Sequence, residues 1–301
     1  MANITATTAA NFIPEIWANS ALEVLRANIV MAKLVAKDTD VASFQTGDIL
    51  HIPYPGTFTA NDKAADSTVT LQTPSGGSEV QVTLNKHKEV SFIIEDVARA
   101  QANQDIMNRY LQASVPAIAE AIETDLLALY ANVTASVGTT GTDIALSTVR
   151  SARKTLNDNK APQSNRNLVV SSKDEIALLG DSNAQTYFAY SQSQAVKEGS
   201  IGRLYGFDVY MSQLVPVVTG TPDSTKNLAF NNDAFILAMR GLPEPPAGSG
   251  ASGTTLRDPQ SGLVIRVLYA YNPSYLGVQV TLDVLYGVKV LRDAKATKVL
   301  S

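Results

Sequence analysis

The side chains best suited to chemistry are few in this chain, and they are scattered. Only two histidines occur in 301 residues, His51 and His87, and cysteine is absent. Without cysteine there is no thiolate nucleophile, no thiolate metal site and no disulfide framework. An imidazole acts as a general base or metal ligand only beside suitable partners, and neither histidine sits in a Cys, Asp or Glu ligand pattern. His87 lies within Lys86-His87-Lys88-Glu89, which reads as a solvated charged edge. Glu95-Asp96 is a carboxylate pair, but adjacent residues at a helix start do not converge on one substrate, and anions are favoured there anyway. Lys63, in the polar stretch NDKAAD, carries an amine that could form an isopeptide bond with an Asn of a neighbouring copy. That reaction needs a buried acid beside it, and nothing in the sequence secures one.

Glycine-rich signals are equally thin. GSIGRLYG, from Gly199 to Gly206, has G-x-x-G-x-x-x-G spacing rather than G-x-G-x-x-G, and it precedes a strand instead of joining strand to helix. Glycines that ease turns and close packing account for it. There is no P-loop, no G-x-S-x-G elbow and no H-E-x-x-H. No catalytic, cofactor-binding or metal-ligating residue is assigned, no cofactor is expected, and the chain does not read as an enzyme.

What remains is a set of elements with little chemistry to position. Hydrophobic residues make up 45% of the chain, enough for a sizeable core, while charged residues make up only 17%. A typical soluble domain carries about 25% charge. A surface poor in charge suits burial against partners, because an unpaired buried charge is costly. The formal charge of -4 argues against a nucleic-acid-binding domain, which would carry a concentrated basic patch. The polar start MANITATTAANF lacks the pattern of a signal peptide, and no apolar run approaches the roughly 20 residues of a membrane span. The chain is expected to be soluble and cytoplasmic, without a membrane partner, which makes the sequons at Asn3 and Asn132 chance matches.

Residues 1–11 read as a disordered or extended arm. Pro14 and Glu15 open a helix whose stripe runs Ala18, Leu22, Leu25, Ile29 and Ala32, closed by Lys33 and Lys37. From Gly47 to Asp96 the pattern becomes a ribbon: Val80, Val82 and Leu84 alternate with polar residues, Val69 and Leu71 offer a partner strand, and residues 74–77 (PSGG) make the turn. A lone hairpin is marginal in water, so the ribbon is expected to lie on another copy of the chain. Asn103 caps a long helix with the stripe Leu111, Val115, Ile118, Ile122, Leu126 and Leu129, which Pro116 should bend or reset. Beyond the break at residues 137–142, Ser147 caps a helix through Leu156, residues 168–170 form a strand, and Ser172 caps a helix ending at Gly180. Strands follow at 204–211 and 234–239, then an exposed Pro/Gly/Ser-rich loop at 243–262. From Leu263 the chain is nearly all strand. The order is α+β rather than alternating α/β.

That order of elements resembles the major capsid proteins of tailed bacteriophages, which share the Hong Kong 97-type fold. Its carriers are Ile13 to Val35 (IPEIWANSALEVLRANIVMAKLV), Gly47 to Gly56 (GDILHIPYPG), Val90 to Met107 (VSFIIEDVARAQANQDIM), Gly199 to Pro216 (GSIGRLYGFDVYMSQLVP) and Val280 to Leu300 (VTLDVLYGVKVLRDAKATKVL). The resemblance implies an N-terminal arm over 1–40 and an extended loop over 41–93 that overlaps an adjacent subunit. It implies a peripheral domain with its spine helix over 94–140, an axial domain over 141–270, and terminal strands of the peripheral domain over 271–301.

The function implied is that of a structural protein assembling, from pentamers and hexamers of itself, into an icosahedral head around double-stranded DNA held non-specifically. Portal, scaffolding and decoration proteins are the further partners implied, and the virion the location, with assembly in the host cytoplasm. Heterologous contacts that tolerate small changes of angle suit such a shell, and many modest interfaces per subunit add through multivalency. Three alternatives remain at this point: an encapsulin-type shell around an enzyme cargo, a monomeric binding module with an exposed ribbon, and a hydrolase of unrecognised type.

Overall fold

The computed structural model describes residues 30–38, 49–54, 56, 58–73, 78–97, 106–181, 202–246, 248, 250–257 and 263–301. The arm at 1–11, the helical stripe up to Ile29, the turn at 74–77 and the Asn103 cap lie outside them. In chain order the elements are α1 (Met31–Leu34), β1 (Ala36–Asp38), β2 (Ile49–Tyr54), β3 (Ser78–Thr83), β4 (Lys86–Glu95) and the long helix α2 (Ile106–Leu127). Next come β5 (Ser136–Gly138), α3 (Leu146–Asp158), β6 (Arg166–Val170), α4 (Ser172–Gly180), β7 (Arg203–Leu204), β8 (Phe207–Met211), β9 (Val217–Val218) and β10 (Ser224–Asn231). The chain closes with β11 (Phe235–Arg240), β12 (Ala251–Arg257), β13 (Val264–Asn272), β14 (Gly277–Val290) and β15 (Ala296–Leu300).

Strand β14 organises the first sheet, whose order is β1-β11-β14-β13-β12. Its early residues pair with β13, from Gly277 opposite Asn272 to Asp283 opposite Arg266, and its late residues pair with β11. β4 pairs antiparallel with β14 over Gly277 to Tyr286. The expected stripe of α2 packs on the inner face of this sheet: Val115, Ile118, Ile122 and Leu126 are buried in one cluster with Val280, Leu282, Val284 and Tyr286. Pro116 sits inside α2 without ending it, and the helix tightens into a 3-10 turn at Ala128–Asn132.

The second sheet runs β5-β15-β10-β6-β8-β7, with β9 beside β10. Its central strand β10, STKNLAFN, received no element in the sequence reading. It is buried along nearly its whole length, so it lacks the polar–apolar alternation that marks a half-exposed strand. Alternate residues serve two cores: Leu228 and Phe230 join the cluster under α2, where Phe230 meets Phe235 edge-on at 5.1 Å between ring centroids. Ala229 joins a second cluster with Leu168, Val170, Phe207 and Val299, beneath Val149, Ala152 and Leu156 of α3.

Several local expectations shift. Ser171, not Ser172, caps α4, its hydroxyl accepting from the Asp174 amide. α3 begins at Leu146, so Ser147 lies within the helix instead of capping it. The strand expected over 204–211 is a tight hairpin, β7 and β8 joined at Tyr205-Gly206, where both residues have positive φ (47° and 84°). The terminal strands divide: β14 lies in the first sheet, whereas β15 joins β10 and β5 in the second. The 243–262 segment is not a loop throughout, because β12 pairs with β13 across seven residues. Its glycine belongs to the strand. A Cβ at Gly253 would stand 2.5 Å from a Leu268 methyl and 2.9 Å from the Val267 carbonyl oxygen, so only glycine fits that ladder.

Candidate interaction surface

Within β2, ILHIPY, residues Leu50, Ile52 and Tyr54 share one face; β3 matches it with Val80 and Val82 in antiparallel register. This corrects the expected pairing. Val69 and Leu71 lie in no strand and are 68% and 92% exposed. It also corrects the expected support. The hairpin root rests on its own chain, Leu50, Val82 and Leu84 packing with Ile236 and Ala238 of β11 and with Leu285 and Leu291. Alternation along β11 makes this possible, since Phe235, Leu237 and Met239 point into the main core and leave Ile236 and Ala238 on the outer face.

Specific contacts lock the root. The Tyr54 hydroxyl donates to the Leu291 carbonyl at 2.9 Å, the Arg292 guanidinium stands 5.0 Å from the Tyr54 ring centroid, and Lys289 donates to the Gln81 carbonyl at 2.7 Å. Gly287 permits the approach, for a Cβ there would fall 2.3 Å from the Thr83 carbonyl oxygen. Replacing Tyr54 by Phe should cost about 1 kcal/mol, the net worth of one hydrogen bond. Limited proteolysis should then cut the hairpin root faster than in the parent chain; an unchanged rate would show that the hydroxyl is idle.

From this root extends the segment 58–73, with no regular structure and no place in any of the three apolar clusters. Its sides are clasped at the base: Gln72 accepts from the Thr59 amide at 3.0 Å and donates to the Thr59 carbonyl at 2.6 Å, as a facing strand would. Phe58 is 69% exposed, so together with Val69 and Leu71 three large apolar side chains stand in solvent on a narrow projection. Lys63 lies exposed at its far part. A second exposed apolar group, Val97, Tyr275 and Leu276, gathers at the β13–β14 turn, where the Asp96 amide donates to the Leu276 carbonyl.

The residues considered for chemistry are not brought together. His51 Nδ1 pairs with Glu79 at 3.1 Å across the exposed face of the β2–β3 hairpin, and hydrogen bonds from Gln81 and then His51 hold the Glu79 carboxyl below its ordinary value. His87 Nε2 lies 2.9 Å from Asp283 on the outer face of the first sheet. The charged edge expected around His87 thus contains a buried partner 196 positions away, beyond the reach of local sequence inspection. Asp283 also accepts from Arg266. Asp96 accepts from the Tyr271 hydroxyl at 2.9 Å, while Glu95 is exposed and stands in register opposite Gly277.

A further polar group was missed. Lys86 and the Tyr286 hydroxyl both donate to Asp125, at 2.8 and 2.6 Å, joining β4, β14 and α2. Burial opposes ionisation of Asp125, but these two hydrogen bonds outweigh it and lower its pKa; burial and then the Asp125 contact raise that of Tyr286. Among the described residues no group of three or more His, Cys, Asp and Glu could hold a metal ion, and no helix is long and apolar enough to cross a membrane. The arrangement is one of rooted projections and exposed apolar side chains.

Comparison with known proteins bears on this geometry. A family model described as phage capsid protein matches residues 77–281. No curated protein sequence matches the chain. Among solved structures, a chain from Mycobacterium phage Che8 is 21% identical with a TM-score of 0.65, each chain covered over 90% of its length. A chain of the capsid of Cyanophage P-SCSP1u is 14% identical with a TM-score of 0.67, over 90% of this chain and 87% of that one. The SrpI encapsulin of Synechococcus elongatus is similar at a TM-score of 0.53 and 12% identity, over 89% and 85%. The α+β fold is that of these shell proteins.

Proposed function

This chain belongs to the phage capsid protein family, and from that premise we propose that it self-assembles into an icosahedral phage head enclosing double-stranded DNA. The observation that carries the proposal is the exposed segment 58–73, raised on a hairpin whose root is locked to the chain's own sheet. A lone molecule gains nothing by holding Phe58, Val69 and Leu71 in water. A neighbouring copy can cover them, so the segment is the extended loop of the subunit. By the same reading the sheet around β14 with α2 is the peripheral part, α2 its spine helix, and the sheet around β10 with α3 and α4 the axial part. The role is structural, with no catalytic, cofactor or metal residue assigned. Portal and scaffolding proteins, a decoration protein and the packaged DNA are its further partners, and the site of assembly is the host cytoplasm.

Purified protein, alone and with scaffolding protein supplied, tests this by size-exclusion chromatography and negative-stain microscopy. Closed shells are expected; a persistent monomer at high concentration under both conditions overturns the proposal. The likeness to an encapsulin favours a second reading, in which the same shell encloses an enzyme. The contents of particles isolated from the native source separate the two, DNA supporting the head and a protein cargo the compartment.

A further inference from the structure

One buried ionisable group has no part in the surface just described. Glu123 lies one turn before the C-terminal end of α2, 2% exposed, and both its carboxyl oxygens stand 2.9 Å from the Met31 amide. Met31, Ala32 and Leu34 are buried beside Val115, Ile118, Ala119 and Ile122 of the same helix. The carboxyl is therefore the polar fastening of an otherwise apolar contact between α1 and α2. Directly after α1, β1 adds to the first sheet as a three-residue parallel strand on β11, a small further attachment.

We propose that Glu123 is a proton-operated latch, which holds residues 30–35 on the long helix when protonated and loosens them when ionised. A protonated carboxyl keeps an oxygen that accepts from the Met31 amide. An ionised one is a charge in an apolar cluster, stabilised by backbone amides but denied water. Burial pushes the group up to about 7, against hydrogen bonds from Met31, Val30 and Ala32 and against the Lys33 charge. Among the described residues no other cation engages it. Lys86 of β4 and Tyr286 of β14 are taken up by Asp125, on which Lys88 also acts, and Glu120 is exposed on the outer side of α2. His87, across the sheet, is paired with Asp283.

The sign follows from linkage. With α1 docked, the carboxyl holds its proton up to about pH 7; undocked and wetted, it releases it near its ordinary 4.5. The docked state binds the proton more tightly, so docking weakens as pH rises through this window and is level on either side of it. Between pH 5 and pH 8 the docking equilibrium should shift on the order of 50-fold. The device belongs to the folded chain and does not depend on shell formation.

Hydrogen exchange of the full chain across that range, corrected for the intrinsic pH dependence, tests it. In the parent protein, protection of residues 31–35 should fall tens of fold relative to residues 115–127 as pH rises, whereas Glu123→Gln should show a flat profile. Glu123→Met, which has no proton to lose, serves the same comparison should the Gln variant fold poorly. Protection in the parent that is constant with pH, or a neutral variant that follows the parent, overturns the proposal.

Discussion

Deletion of residues 59–73 should leave a stable folded monomer that no longer forms closed shells. The segment contributes to none of the three apolar clusters, and its side-chain hydrogen bonds among the described residues, the Gln72–Thr59 clasp and those from Lys63 and Ser67 to the Ala64 carbonyl, lie within itself. Eight residues, 55–58 and 74–77, would still join β2 to β3, ample for a hairpin connection. Shortening the connection lowers the entropic cost of closing it, so stability should rise by about 1 kcal/mol at most. Assembly is different, because many modest contacts multiply and the loss of one repeated contact is felt at every subunit. Thermal denaturation read beside electron microscopy distinguishes the outcomes. Unfolding of the deletion variant would mean that the segment serves an internal core; intact shells would mean that it does not join subunits.

Substitution of Asp283 by Ala should be the most damaging single change on the outer face of the first sheet. Its carboxylate is 3% exposed and ties three strands, accepting from Arg266 of β13 and pairing with His87 of β4 from its own place on β14. The side chain of Arg266 is only 16% exposed and would keep just the Pro243 carbonyl as its acceptor. Removing one member of a buried pair leaves an uncompensated charge and costs about 3–5 kcal/mol. For a chain of this size the midpoint of thermal unfolding should drop by roughly 10 °C. Replacing Asp283 and Arg266 together by leucine should recover much of the loss. A drop of only one or two degrees for Asp283→Ala would show the pair to be dispensable.

Some of this was legible beforehand. The Val115–Leu129 stripe specified a helix buried on one face, because a period near 3.6 leaves no other way to hide those side chains. The alternation of Val80, Val82 and Leu84 specified a strand with one apolar face. The pairing of that strand was not legible. Val69–Leu71 and Leu50–Ile52 carry the same alternation, and only the shelf of Ile236, Ala238, Leu285 and Leu291 distinguishes them. β10 escaped notice because both of its faces are covered, and β12 because glycine and serine in a strand read locally as loop.

The sequence by itself determined that this protein has no thiol chemistry and little histidine chemistry, that its elements are α+β, and that a long strand-like ribbon lies between its first helical stripe and its long helix. Composition and periodicity are local properties, and they suffice for such statements. Only the tertiary structure decided that the projection is rooted on its own sheet, that His87 meets Asp283, and that Glu123 fastens residues 30–35. Each of these joins residues far apart in the chain. Local pattern states which face of an element is apolar; which partner covers it is settled by the packing of the whole chain.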